Sequence, residues 1–166
     1  TAVELMPPNE FQEVMREDGK DGNPYATGMP TGKLNYWGYG EGWLFAPKAS
    51  YASGKRKEPS REFKDLVKEL HKNGLEILIE LYFTGRESAS LVQEAVRFWV
   101  YEYHVDGVHL MGAAPAGLLA ADPLLADTKL LATSWENQAG NKRTRERRWH
   151  LGESVSYTHL TLPTKA

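Results

Sequence analysis

The residues best equipped for chemistry in this chain are few and spread out. Tyr36, Trp37 and Tyr39 form a tight aromatic cluster, followed closely by Phe45, Pro47 and Tyr51. Flat apolar faces with polar tips suit stacking on sugar rings, and they serve equally well as local core. Glu80 stands in an alternating apolar run, and Asp106 and His109 stand in the next one. Carboxylates and imidazoles at strand positions can do acid–base work when they meet in one pocket. Two candidate cation sets are weak. Asp18, Asp21 and Asn23 lack the closing Glu of a calcium loop. His104, Asp106 and His109 fall out of parity on an extended strand, so no metal is expected there. No cofactor is expected either.

The elements that must position these groups follow from pattern. Thr1 to Pro8 reads as a short strand stopped by prolines, which cannot donate to a ladder. Phe11 to Met15 suggests a helical turn, and Glu17 to Lys33 a long loop. Leu34 to Trp37 reads as a second strand. Ser60 is the expected cap of a helix whose stripe is Phe63, Leu66, Val67 and Leu70, with Gly74 as its stop and His71 as a surface residue near its end. Glu76 to Phe83 alternates. Ile77, Ile79, Leu81 and Phe83 face helices, and Glu76, Leu78, Glu80 and Tyr82 face the other way. Ser88 or Ser90 caps a second helix reaching about Tyr103. A strand is expected over His104 to Met111, a short helix within Pro115 to Ala126, and a further strand over Lys129 to Thr133. Helix, glycine turn and strand in succession imply a parallel sheet.

Composition narrows the function classes. The chain has 166 residues, a net charge of −2 and no cysteine. One globular unit with a real core fits, and neither nucleic acid nor a membrane surface is an expected partner. The basic stretch Asn137 to Arg148 and the run Lys55-Arg56-Lys57 read as solvated loops. No apolar run approaches about 18 residues, so no membrane span is expected. The compartment stays open, with the cytoplasm favoured.

The order Asn35-Tyr36-Trp37-Gly38-Tyr39, then Phe45-Ala46-Pro47 and Tyr51-Ala52, resembles the alpha-amylase clan of glycoside hydrolases (glycoside hydrolase family 13). The likeness is greatest to glycogen- and starch-debranching enzymes of isoamylase and pullulanase type. It covers about residues 1–153. The resemblance implies an α/β fold, a partial (β/α)8 TIM barrel holding about strands one to five of eight, because a complete one needs roughly 200 residues or more. Residues 154–166 fit no element of it, resemble translated adapter read-through, and are read as a non-native or disordered tail.

The same resemblance locates the chemistry. Retaining glycosidases need two carboxyl groups about 5 Å apart. Glu80-Leu81-Tyr82-Phe83-Thr84-Gly85 resembles the family's Asp-x-x-Tyr-Asn-His, with Thr84 and Gly85 in place of the sugar-contacting Asn and His. Asp106-Gly107-Val108-His109-Leu110-Met111 resembles Asp-Gly-Phe-Arg-Phe-Asp, so His109 holds the Arg slot and Met111 the nucleophile slot. Leu130 to Trp135 resembles the segment ending Gly-Glu-Gly-Trp, with Thr133 in the general-acid slot. A thioether carries no charge, and a hydroxyl of ordinary acidity is a poor proton donor. The expectation is a catalytically degenerate member that contacts an alpha-glucan or oligosaccharide through Tyr36, Trp37, Tyr39, His109 and Trp135. An active debranching or amylase-type hydrolase with relocated acids such as Glu80 is the alternative, and a structural or interaction domain is a third. Strand parity further places Glu80 and His109 on one face, where they can pair.

Overall fold

The structure is a computed structural model that describes residues 1–16, 28–53 and 58–132, and the backbone of Leu151–Glu153. Its centre is a sheet of five parallel strands. In spatial order these are β1 (Ala2–Leu5), β6 (Glu76–Phe83), β7 (Gly107–Gly112), β8 (Lys129–Ala132) and β9 (Leu151–Glu153). Two antiparallel ribbons stand outside it: β2 (Asn9–Phe11) with β5 (Gly42–Pro47), and β3 (Val14–Arg16) with β4 (Pro30–Leu34). The helices are α1 (Pro59–Lys72), α2 (Ala89–Tyr103) and the short α3 (Ala116–Ala120).

β6 is the middle of the core. Its odd residues Ile77, Ile79, Leu81 and Phe83 are wholly buried, as the alternation predicts. Each such side chain contributes about 1.5–3 kcal/mol through burial. They join Val67 of α1, Val92, Ala95, Val96 and Trp99 of α2, and Val108 and Leu110 of β7 in one cluster. Parallel pairing sets which residues share the other face. Glu4 pairs with Leu78, Glu80 with His109, and Tyr82 with Met111. Three successive rungs of that face therefore carry Glu4, then Glu80 and His109, then Tyr82 and Met111.

Several boundaries differ from the sequence expectation. Leu34 to Trp37 is no barrel strand: β1 pairs directly with β6, and only Leu34 is extended, as the end of the β3–β4 ribbon. Aromatic residues that favour strands are instead held in a loop by Gly38, whose φ is 72°. The parallel sheet regains a fifth strand at Leu151–Glu153. Phe11 to Met15 contributes to two strands, not to a helical turn. The first helix begins at Pro59, one residue before Ser60, with Glu58 at its cap, because proline suits the first helical position. Its Leu66 is exposed while Val67 is buried. Ser88, of the two candidates, caps α2, its Oγ accepting from Leu91 N at 3.2 Å.

The strand expected from His104 begins only at Gly107. His104 ends α2 in the left-handed conformation, φ 57°. Asp106 then ties the strand starts together. Its N–H donates to the Ile77 carbonyl, its carbonyl accepts from Lys129 N, and its carboxylate accepts from Ile77 N at 2.8 Å. His71 is not simply a surface end residue: its Nε2 lies 2.8 Å from Asp106 Oδ2, linking α1 to the same corner. At the other end of β7, Gly112 has φ 72°, and a Cβ there would come within 2.2 Å of the Phe83 carbonyl oxygen.

Candidate sugar site at the strand ends

The aromatic loop between β4 and β5 is held by one bond within the loop and by others to distant parts of the chain. Asn35 N donates to the Glu13 carbonyl at 2.8 Å, and Asn35 Oδ1 accepts from Gly38 N at 3.2 Å. The Asn35 Nδ2 atom is buried without a partner among the described residues. Gly38 sits against the Phe11 ring. At the loop's far end, Trp99 Nε1 donates to the Leu44 carbonyl at 2.8 Å, fixing β5 to α2. Phe45 meets Phe98 edge-on at 5.3 Å.

Lys48 completes the frame. It is buried, and its ammonium donates to Glu10 Oε1 at 2.6 Å and to the Phe11 carbonyl at 3.0 Å, with Glu13 at 3.2 Å. It also lies 4.4 Å from the Phe11 ring centroid. A buried ammonium needs this full set of partners. Ser50 donates to Glu13, which, against the opposing effect of burial and with help from Lys48, holds the Glu13 carboxyl below its ordinary range.

The result is a row of stacked rings. Trp37 and Tyr39 lie 6.4 Å apart at 21°, and Tyr39 and Tyr82 lie 5.4 Å apart at 22°. Tyr36 is 75% exposed and Trp37 62%. Tyr82 is the next-to-last residue of β6 and pairs with Met111, the next-to-last of β7. The row therefore reaches the carboxyl ends of the strands, where barrel active sites form.

One rung lower lies a polar cluster. The Tyr39 hydroxyl donates to Glu80 Oε2 at 2.7 Å. Burial, this bond, and the negative charges of Glu80 and Glu4 all push the Tyr39 phenol up. Glu80 and His109 share the face that parity assigned them. The partner that His109 Nδ1 meets, at 2.6 Å, is Glu4 Oε1, which the sequence reading did not single out. Glu4 lies 105 positions away in sequence, and no local signal marks it. One ligand atom each from Glu4, Glu80 and His109 lie within 4.8 Å of one another.

Other sequence candidates separate. His104 caps α2 and Asp106 serves the strand starts, so neither joins His109. Thr84 and Gly85 hold the Glu87 carboxylate: Thr84 Oγ1 donates at 3.0 Å and Gly85 N at 2.9 Å. Thr133 and Trp135 lie outside the described residues, as do Asp18, Asp21 and Asn23, Lys55 to Lys57, Asn137 to Arg148 and the tail 154–166. A cleft of about 400 Å³ opens elsewhere, between the end of β1 and α1, lined by Met6, Pro47, Tyr51, Phe63 and Leu66. It includes none of the stacked rings.

Parallel strands, helices on the apolar face and polar rungs on the other define a segment of a (β/α)8 barrel. No family model matches the chain. The chain is 25% identical to a glycogen operon protein GlgX homolog of Mycobacterium tuberculosis, with 82% of this chain aligned to 26% of that protein. It is 28% identical to a glycogen debranching enzyme of Serratia proteamaculans, over 88% of this chain and 29% of the other. Its fold matches pullulanase type I from Bacillus subtilis, solved with maltose, at a TM-score of 0.56 and 22% identity, covering 81% of this chain and 24% of that one. The chain is a relative of the isoamylase- and pullulanase-type enzymes of the alpha-amylase clan, a carbohydrate-related glycosidase family. It spans 26% and 29% of the length of the two relatives named first. Among the described residues, no helix is long and apolar enough to cross a membrane.

Proposed function

We propose that this chain forms a glucan-contacting face of a (β/α)8 barrel and does not itself cleave the glucan. The observation that carries the reading is the stacked row Trp37–Tyr39–Tyr82 beside the ends of β6 and β7, with Tyr36 and Trp37 open to solvent. Such faces take the apolar side of a glucose ring, and a phenol at the edge supplies hydrogen bonds. The relatives' names point to glycogen-type alpha-glucans as the ligand class. Tyr36 and Trp37 offer their open faces to the sugar, Tyr39 contacts it at the ring edge from within the stack, His109 supports the row from the rung below, and Trp135 is a further contact that the family resemblance implies. Residues 1–153 make the barrel portion, with 154–166 outside it.

The absence of cleavage rests on Met111. It occupies the strand-end position that the family resemblance gives to the nucleophile, adjacent to Tyr82. Its thioether cannot stabilise an oxocarbenium-like centre as a carboxylate does. Thr133 stands in the general-acid slot. Isothermal titration of the purified protein with maltooligosaccharides tests the binding: heat is expected at millimolar ligand, and is lost in Trp37→Ala. No heat at that concentration removes the proposal.

One observation favours a second reading, an active hydrolase with relocated acids. Carboxylate oxygens of Glu4 and Glu80 lie no more than 4.8 Å apart, so the two acids are neighbours, as the pair of carboxyl groups in retaining enzymes is. Against it, both acids sit below the Tyr82–Met111 rung, and they are engaged by His109 and Tyr39. Reducing ends released from pullulan or glycogen, and abolished by Glu80→Gln, would establish it. No release by the unaltered protein would end it.

A further inference from the structure

We propose that Glu4, Glu80 and His109 form a binding site for one divalent transition-metal ion, with zinc the best chemical match. Three adjacent strands, β1, β6 and β7, each supply one ligand. Their register turns all three side chains to one face, and one ligand atom from each lies within 4.8 Å of the other two. Zinc bonds of about 2.0–2.2 Å require ligand atoms about 3.3–3.5 Å apart, so separations of up to 4.8 Å close by at most about 1.5 Å while the His109–Glu4 pair, at 2.6 Å, opens by about 0.8 Å. Glutamate torsions absorb such a shift.

The donor set selects the ion. One imidazole nitrogen and two carboxylate oxygens suit zinc with water at a fourth position. Calcium and magnesium prefer oxygen alone and more of it, which three side chains of this kind do not supply. The surroundings favour a held geometry. Tyr39 binds the Oε2 atom of Glu80 and orients that carboxylate, as outer partners of metal ligands do. His109 is buried, on the face of β7 opposite Val108 and Leu110, while Glu4 stays exposed and gives the ion its path in. An ion entering the cluster sits between His109 Nδ1 and Glu4 Oε1, with the imidazole bound as the neutral tautomer that keeps its hydrogen on Nε2.

Such an ion would be structural. It would lie one rung below the stacked rings and would bind β1, β6, β7 and, through Tyr39, the aromatic loop into one unit. This role is independent of whether the rings contact a glucan.

Zinc titration of the purified protein, in competition with a chromogenic chelator at neutral pH, tests the site. The expected result is one zinc per chain with a Kd of about 1 μM or tighter. Each of Glu4→Gln, Glu80→Gln and His109→Gln should weaken it by at least about tenfold, whereas His71→Gln should leave it unchanged. Zinc should also raise the melting temperature of the unaltered protein. Because substitution of the buried His109 can impair folding, cobalt(II) added to the unaltered protein provides a second reading: tight binding with visible d–d absorption, displaced by zinc, is expected. No saturation up to about 100 μM zinc overturns the proposal. Undiminished binding in folded Glu4→Gln and Glu80→Gln also overturns it.

Discussion

The Tyr39 hydroxyl lies 2.7 Å from Glu80 Oε2, so a loop residue and a strand residue 41 positions apart are joined at the edge of the candidate sugar site. The bond does two things. It presents the Tyr39 ring to Trp37 on one side and Tyr82 on the other, and it gives Glu80 a neutral donor in a partly covered place. Replacing Tyr39 with Phe keeps the stacking area and removes the bond. The expected cost is about 1–2 kcal/mol in denaturant unfolding, since the acceptor is a carboxylate that remains partly solvated.

The same phenol makes a pH prediction. Burial and the nearby Glu80 and Glu4 charges raise its pKa above the unfolded value of about 10. The folded state therefore holds the Tyr39 proton where the unfolded state has lost it. Its contribution to stability is complete below about pH 10 and declines as pH rises beyond that. Denaturant midpoints measured across this range should fall more steeply for the unaltered protein than for Tyr39→Phe.

Asp122 predicts the acid side. Burial pushes its carboxyl up, but bonds from the Arg97 guanidinium, the Leu124 N–H and the Gln93 amide together hold it below the ordinary value. This carboxylate anchors the turn after α3 to α2. Its contribution is present above about pH 4 and is lost as pH falls through the lowered folded-state pKa. Asp122→Ala should cost about 2–3 kcal/mol at neutral pH and flatten the stability profile below pH 4.

How much of this was legible depends on the range of the interaction. Glu76–Phe83 was readable to the residue because period-two alternation is a local property and one face is wholly buried. The parity of Glu80 and His109 followed from the same rule. The second strand was misread because Tyr36 and Trp37 favour strands, while the turn at Gly38 and the anchoring by Glu13 and Trp99 depend on distant partners. The end of α2 at Tyr103 was readable, but the next strand was started three residues early, since a non-glycine residue at His104 gives no sign of a left-handed turn. Glu4 was passed over because its meeting with His109 exists only once β1 pairs with β6.

Gly112 should tolerate no side chain. Its φ of 72° is unfavourable for other residues, and a Cβ would stand 2.2 Å from the Phe83 carbonyl oxygen. The neighbour is backbone of β6 and cannot move aside without breaking the β6–β7 ladder. Gly112→Ala should lower stability by about 2 kcal/mol or more, measured by thermal unfolding. The loss should exceed that of Gly32→Ala, where φ is also positive but no atom lies within 4 Å.

Trp99 separates core packing from control of the sugar site. Its ring is wholly buried against Phe63 at 5.3 Å and Tyr103 at 4.8 Å, while its Nε1 holds the Leu44 carbonyl. Trp99→Ala removes both and should cost about 3–5 kcal/mol. Trp99→Phe keeps most of the packing but leaves the Leu44 carbonyl without its donor, for a cost of about 1–3 kcal/mol. Its local effect is the sharper test. If that single bond anchors β5, amide exchange in Gly42–Pro47 should speed up in Trp99→Phe while exchange in β6 stays near the unaltered rate. Equal acceleration in both strands would mean that the loop is held by general packing of the core.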